Sequence, residues 1–155
     1  MRTKRRSGIA LEQKVMAWAK RKFDAEVDTR CQVNGLSVKR PYEVDVWVRI
    51  PGGFFKRTKD LWIECKDRRE SIKRRDISDL INKAKDVYQA ANVGREDSYF
   101  DQLMFVSTSS YDSDALALAD QEGVACIIYD GTRFRLQNEW DGEEHKWLRD
   151  VKATA

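Results

Sequence analysis

Acidic and basic side chains are set among apolar residues in two segments of this chain, at spacings that suit metal-assisted chemistry. Asp45 stands between valines, and Glu64 and Lys66 are two positions apart, so both of the latter leave the same face of an extended strand. A carboxylate beside an ammonium in a buried strand is costly unless something binds there. Mg²⁺ takes oxygen ligands, a few carboxylates together with several waters. Asp45 and Glu64 could supply carboxylates, the Cys65 carbonyl a third oxygen, and Lys66 could orient or deprotonate an attacking water.

A further acid, Glu12, falls inside the apolar arc of a predicted helix, near Val15 and Ala19. An acid in that position should avoid the core unless a cation or hydrogen bonds await it. It lies in the first turns of the helix, where the helix dipole tolerates negative charge. Two simpler interpretations stay open: Glu12 reaches solvent from the helix end, and Glu64 and Lys66 form a surface ion pair on an edge strand.

Basic residues are concentrated in two windows, although the net charge is only +3. One window is the N-terminus, and the other follows Lys66. The second window contains Arg68, Arg69, Lys73, Arg74 and Arg75. A net charge of this size does not by itself indicate nucleic-acid binding, and a charge run is commonly a solvated face. Beside a catalytic site, however, these side chains would contact phosphates and supply affinity with little sequence information.

Hydrophobic periodicity predicts the elements that must position these residues. We predict helices over 8–23, 77–91 and 112–123, and strands over 25–34, 42–50, 61–66, 103–107, 124–129 and 133–136. The order α-β-β-β-α-β-α-β-β predicts an α/β fold with a mixed central β-sheet flanked by helices. In the second strand, alternation places Val44, Val46 and Val48 on one face and Asp45 on the other.

Composition and length exclude several classes of protein. A chain of 155 residues suffices for one domain with a single sizeable core. No apolar run approaches the ~18 residues that a membrane helix needs, and no apolar stretch follows the basic N-terminus, so we expect a cytoplasmic protein with no membrane partner. Cys31, Cys65 and Cys126 are widely separated, and His145 lies in a polar segment. We therefore expect reduced, mostly buried cysteines, a solvated histidine and no zinc site.

These motifs resemble the PD-(D/E)XK nuclease superfamily and, within it, the Mrr-like restriction endonucleases, over about residues 8–136. The matching segments are Gly8-Ile9-Ala10-Leu11-Glu12 for the family's first helix, Glu43-Val44-Asp45 for the strand with the metal-binding aspartate, and Leu61-Trp62-Ile63-Glu64-Cys65-Lys66 for the strand with the ExK triplet. Residues 106–111, 114–119 and 124–130 resemble the Mrr-like closing half. Two departures are visible: Val44 stands where the family has proline, and no target-recognition domain precedes the core.

The resemblance implies a restriction-endonuclease-like core and a Mg²⁺-dependent endodeoxyribonuclease, with Mn²⁺ as a substitute, that leaves 5′-phosphate and 3′-hydroxyl ends. It implies that Asp45 and Glu64 bind the metal with the Cys65 carbonyl, that Glu12 is a direct or water-mediated ligand, and that Lys66 activates water. The expected domains are a basic tail over 1–7, a nuclease domain over 8–137 and a polar extension over 138–155. The expected partners are DNA, a second copy in a homodimer, since one site cuts one strand, and a separate recognition subunit.

Other functions stay open at this point. Holliday-junction resolvases have the same fold and an ECK triplet like Glu64-Cys65-Lys66. A non-catalytic DNA-binding module would keep the fold without the reaction. In an unrelated structural protein, the side chains of Asp45, Glu64, Lys66 and Glu12 would not converge. Phe54 and Phe55, after two glycines, either contact DNA or pack within their own loop.

Overall fold

The computed structural model describes residues 2–53, 57–141 and 143–154 of the chain. Phe54 and Phe55 lie outside the described residues. The described elements are α1 (Arg2–Phe23), β1 (Glu26–Val33), β2 (Tyr42–Ile50), β3 (Lys59–Lys66), α2 (Arg74–Asn92), β4 (Gln102–Ser107), α3 (Ser113–Glu122), β5 (Val124–Tyr129), β6 (Phe134–Leu136) and α4 (Lys146–Thr154). This order confirms the predicted succession of elements and adds a C-terminal helix.

The six strands form one mixed sheet in the order β1-β2-β3-β4-β5-β6. β1, β2 and β3 are an antiparallel meander, β3, β4 and β5 are parallel and connected by α2 and α3, and β6 is antiparallel to β5. Helices cover both faces of the sheet, as predicted. All six positions of β4 are buried, as expected for a central parallel strand with helices on both sides.

The sheet separates two hydrophobic cores. On one face, which we call the α1 face, Leu11, Val15 and Ala19 pack on the sheet from successive turns of α1. On the other, the α2 face, apolar side chains of α2, α3 and α4 pack against Trp62, Phe105 and neighbouring strand residues. The two faces matter for the candidate site because its acidic residues approach from both.

β2 changes faces at Asp45. Val44 packs in the core of the α2 face, whereas Val46 and Val48 pack in the core of the α1 face. In a regular strand these three residues would share a face. The prediction that they do so is therefore wrong, and the interruption falls at the residue expected to bind metal.

β1 changes faces at the matching position. Val27 belongs to the α1 face and Val33 to the α2 face. Between them, Arg30 has a φ of 54°, in the left-handed region that an arginine rarely occupies. Arg30 lies between Thr29 and Cys31, whose partners in β2 flank Asp45. The backbone conformation at Arg30 thus gives the physical reason why simple alternation fails in this hairpin.

The terminal segments differ from the expected domain boundaries. α1 begins at Arg2, so most of the segment expected as a basic tail is helical. In the segment expected as a polar extension, Trp147, Leu148 and Val151 of α4 are buried in the core of the α2 face. Three apolar residues on one face are enough to bury a short helix within a polar sequence, so α4 packs on the core although its segment is polar in composition.

His145, expected to be solvated, has a side chain only 13% exposed. It packs closely on Gly123, where a Cβ would lie 2.0 Å from its Cγ. Burial lowers the pKa of His145. The three cysteines are free thiols, with Cys126 buried and the other two partly buried. No helix in the described part of the chain is both long and apolar enough to cross a membrane.

Candidate metal centre

The acidic residues singled out in the sequence meet where β2 begins and β3 ends. β2 runs antiparallel to β3, so the first residues of β2 lie beside the last residues of β3. The backbone N–H of Cys65 donates a hydrogen bond of 2.9 Å to Asp45 Oδ2. This bond fixes Asp45 between Glu64 and Lys66, which precede and follow Cys65.

Asp45 and Glu64 interact directly. Burial, and then the negative charge of Glu64, raise the pKa of Asp45 from its ordinary 3.8 to about 7. A hydrogen bond between the two carboxyl groups raises it further, while the Cys65 N–H and Lys66 oppose the shift. Glu64 is only 7% exposed, and its Oε2 atom has no hydrogen-bond partner among the described residues. The pair therefore holds more negative charge than its surroundings compensate near neutral pH.

Lys66 lies at the mouth of this site. Its Nζ atom is 3.6 Å from Glu64 Oε1, and its side chain is 43% exposed. Ile63 and Cys65 pack on the α1 face, which confirms that the triplet alternates as predicted. The ammonium is therefore near enough to influence Glu64 and open enough to meet a phosphate from solvent.

Two further carboxylates approach Asp45, one from α1 and one from β2. Glu12, Glu43 and Asp45 each offer an oxygen, and these oxygens lie within 4.8 Å of one another. Burial raises the pKa of Glu12, although its hydrogen bond with Arg30 opposes the shift. Sequence reasoning chose Glu12 but missed Glu43 as a candidate ligand, although Glu43 stands two positions before Asp45 in the same strand.

Arg30 connects the backbone irregularity of β1 with this cluster. Its Nε donates a hydrogen bond of 3.0 Å to Glu12 Oε2. The alternation in β1 predicts that Arg30 is an ordinary exposed strand residue. A positive φ cannot be recognised from that alternation. The guanidinium neutralises part of the charge on Glu12.

Cys65 contributes its backbone rather than its sulfur. Burial raises the pKa of the Cys65 thiol well above its usual range, and the nearby carboxylates of Asp45 and Glu64 add to the shift. The sulfur is therefore a neutral thiol and a poor metal ligand at neutral pH. The role proposed for the Cys65 carbonyl stays a prediction.

The basic window divides into two parts. Arg68 is ion-paired with Asp76 and donates a hydrogen bond of 3.3 Å to the carbonyl of Ser71. The exposed members are Arg69, Lys73, Arg74 and Arg75. They lie in the loop after β3 and at the start of α2, the end of the sheet that carries the candidate centre. Arg68 is thus engaged internally, whereas the other four present their charges to solvent.

One small cavity lies beside the candidate centre. This cavity, of about 70 Å³ beside Glu64 and Lys66, is also lined by Asp79 and Lys83 of α2. Asp79 and Lys83 were not predicted, because on the sequence they are ordinary polar positions of an amphipathic helix. A larger cavity, of about 330 Å³, lies elsewhere, beside Arg57 and Lys152. A cavity of about 70 Å³ is smaller than the pockets that enclose small-molecule ligands.

Comparisons with known proteins bear on the fold. No protein-family model matches the chain, and no curated protein matches it. Among solved structures, the chain is similar to the crystal structure of a protein of unknown function, AF1548, with a TM-score of 0.60 and 16% sequence identity. The match covers 81% of this chain and spans 60% of the length of that protein. At this identity the likeness concerns the arrangement of helices and strands, and it assigns no activity.

Proposed function

We propose that the protein is a metal-dependent endodeoxyribonuclease with a restriction-endonuclease-like core. The observation that carries the proposal is the position of Asp45, which interacts with Glu64 and has an oxygen within 4.8 Å of oxygens of Glu12 and Glu43. Lys66 lies 3.6 Å from Glu64. Buried carboxylates that repel one another are costly in any fold. In this protein, the elevated pKa of Asp45 and the unpartnered Oε2 of Glu64 indicate that the two negative charges are unfavourable. A divalent cation would compensate it, since carboxylate oxygens are the ligands that Mg²⁺ and Mn²⁺ accept.

The donor set fits such an ion. Asp45 and Glu64 would hold it, with Glu12 as a direct or water-mediated ligand and Glu43 as an additional carboxylate at the rim. When bound, the ion would polarise a phosphoryl oxygen and lower the pKa of a bound water. The Cys65 N–H would keep Asp45 oriented, and Lys66 would orient the attacking water and stabilise charge on the phosphate.

DNA is the substrate that the surroundings of the site favour. Four exposed basic residues, Arg69, Lys73, Arg74 and Arg75, follow the ExK strand at the same end of the sheet. Phosphate contacts of this kind attract a polyanion without selecting a sequence. The positions of these charges therefore support a nuclease that acts on an extended strand.

The first experiment measures cleavage of supercoiled plasmid with Mg²⁺, with Mn²⁺ and with EDTA. We expect Asp45→Asn and Lys66→Met each to reduce the cleavage rate at least about 100-fold, the loss typical of removing one electrostatic contributor. Glu26→Gln and Lys20→Met are matched controls, because both residues are exposed and lie at the opposite end of the sheet. Equal cleavage by wild type and both site variants would refute the assignment.

A four-way junction is the second substrate to include, because the Glu64-Cys65-Lys66 triplet resembles that of junction resolvases. Cleavage of the junction in preference to a linear duplex of the same sequence would assign a resolvase. A protein that shifts DNA in a gel but cuts neither substrate with either metal would instead be a binding module.

A further inference from the structure

The loop between β1 and β2, residues 34–41, is exposed and yet firmly held. The backbone N–H of Ser37 donates to Asp86 Oδ1 at 2.9 Å, and the Tyr42 hydroxyl donates to Asp86 Oδ2 at 2.7 Å. The N–H of Leu36 donates to the carbonyl of Asp86 at 3.3 Å. One residue of α2 thus fixes the middle and the end of this loop, which we call the anchored loop.

The anchor depends on a buried acid and a glycine. Asp86 is 7% exposed, and a carboxylate at that depth is tolerated because the loop and Tyr42 satisfy both of its oxygens. A Cβ on Gly35 would lie 2.2 Å from Asp86 Oδ2, so any larger residue would displace the contact. At the start of the loop, the N–H of Asn34 donates to Glu96 Oε2 at 2.7 Å.

Three consecutive side chains of the anchored loop, those of Val38, Lys39 and Arg40, are exposed. Val38 is 39% exposed, one of few large apolar side chains at the surface of the described residues. Lys39 and Arg40 are exposed and form no ion pair within the described part of the chain. A rigid loop that carries an apolar tip and two cations is prepared to bind something outside the molecule, because its ordering cost is met before the partner arrives.

The anchored loop lies near the candidate metal centre. β2 leads from the loop directly to Asp45, five positions after Arg40. Extended chain of that length spans at most about 18 Å. In B-DNA each strand carries one phosphate per ~3.4 Å of helix axis, so the loop and the centre fall within roughly five base-pair steps.

We propose that the anchored loop is a second DNA contact, which binds the backbone and groove of duplex DNA beside the phosphate at the metal centre. Lys39 and Arg40 bind phosphates, and Val38 packs against sugar or base edges. This inference rests on the proposed function for its substrate. The expected ligand of the loop is a DNA duplex, because a single strand offers neither a groove nor a second backbone.

The test measures affinity for a labelled duplex by fluorescence anisotropy in EDTA, where cleavage cannot interfere. We expect the double variant Lys39→Ala, Arg40→Ala to weaken duplex binding roughly tenfold and to reduce the slope of log affinity against log salt by about two. Lys20→Ala, Arg21→Ala is the matched control, because it removes two exposed charges at the opposite end of the sheet. We expect that control to bind as the wild type does.

A second variant tests the anchor without removing a cation. Gly35→Ala should displace the loop from Asp86 and weaken duplex binding several-fold while affinity for a single strand of the same length changes little. Unchanged duplex affinity and salt slope in the charge variant would overturn the loop contact, even in a protein that cuts plasmid. Weakened affinity in a protein that cuts nothing would support the loop contact and count against the nuclease proposal alone.

Discussion

At the scale of single residues, Asp45 lies in an environment that disfavours its negative charge, and the proposed metal ion would compensate that charge. Its carboxyl is buried against Glu64, and its pKa rises from 3.8 to about 7. The folded protein therefore binds this proton more tightly than the unfolded chain does. Ionisation of Asp45 therefore lowers the free energy of unfolding as the pH rises from about 4 through 7, because the folded state must lose a proton that it holds strongly.

Asp45→Asn should for this reason raise the melting temperature at pH 8 and change it little at pH 4. Asparagine can still accept the Cys65 N–H, so the hydrogen bond persists while the like-charge repulsion disappears. In a chain of this size each kcal/mol recovered corresponds to roughly 2–4 °C. Differential scanning calorimetry of both proteins at the two pH values measures the effect. A lower melting temperature for the variant at pH 8 would contradict this account of Asp45.

At the scale of elements, the sequence allowed good prediction wherever a regular pattern continues. Helical spacing in α1 and α2 and alternation in β1 and β3 were sufficient to place those elements, and the ExK triplet placed Glu64 and Lys66 on one face. The change of faces at Arg30 and Asp45 could not be predicted, because a positive φ in a non-glycine residue leaves no trace in hydrophobic periodicity.

In the C-terminal region, the positions of α4 and His145 also differ from the sequence prediction. α4 was missed because its buried face consists of few residues, and His145 was expected in solvent because its neighbours in sequence are polar. Its actual neighbour is Gly123, which ends α3 with a φ of 85° and accommodates the imidazole. Contacts between distant segments of this kind are decided by packing and are not encoded in local composition.

Gly123→Ala should therefore be more destabilising than Gly131→Ala. Both glycines have positive φ, so each substitution carries backbone strain of about 1–2 kcal/mol. Only at Gly123 does the new methyl group also overlap His145, which should bring the loss to about 3 kcal/mol or more. Urea denaturation of the two variants measures the difference. Equal losses would show that His145 moves aside without cost.

At the scale of the whole molecule, the described residues of one chain provide one candidate centre. The proposed cleavage of a duplex would require two cuts. The described acidic cluster lies at one end of the sheet, where the exposed basic residues after β3 are also found. If the proposed nuclease cuts both strands within one assembly, it needs a second copy of the chain, and the homodimer stays a prediction.

Plasmid assays over a range of protein concentrations test this requirement. At low concentration we expect nicked circles to accumulate before linear product, and at high concentration linear product to form without a long-lived nicked intermediate. Sedimentation velocity over the same range should show the change from one copy to two. Linear product formed directly at concentrations where the protein sediments as a single chain would contradict the homodimer.

The placement of the acidic cluster also has a consequence for how the chain is made. Glu12, Glu43, Asp45 and Glu64 all belong to α1, β2 and β3, which leave the ribosome before β4 does. The antiparallel meander pairs neighbours in sequence, whereas the parallel pairing of β3 with β4 must wait for the α2 crossover. A cation captured by the nascent chain would favour the native alignment of β2 with β3 before β4 has been synthesised.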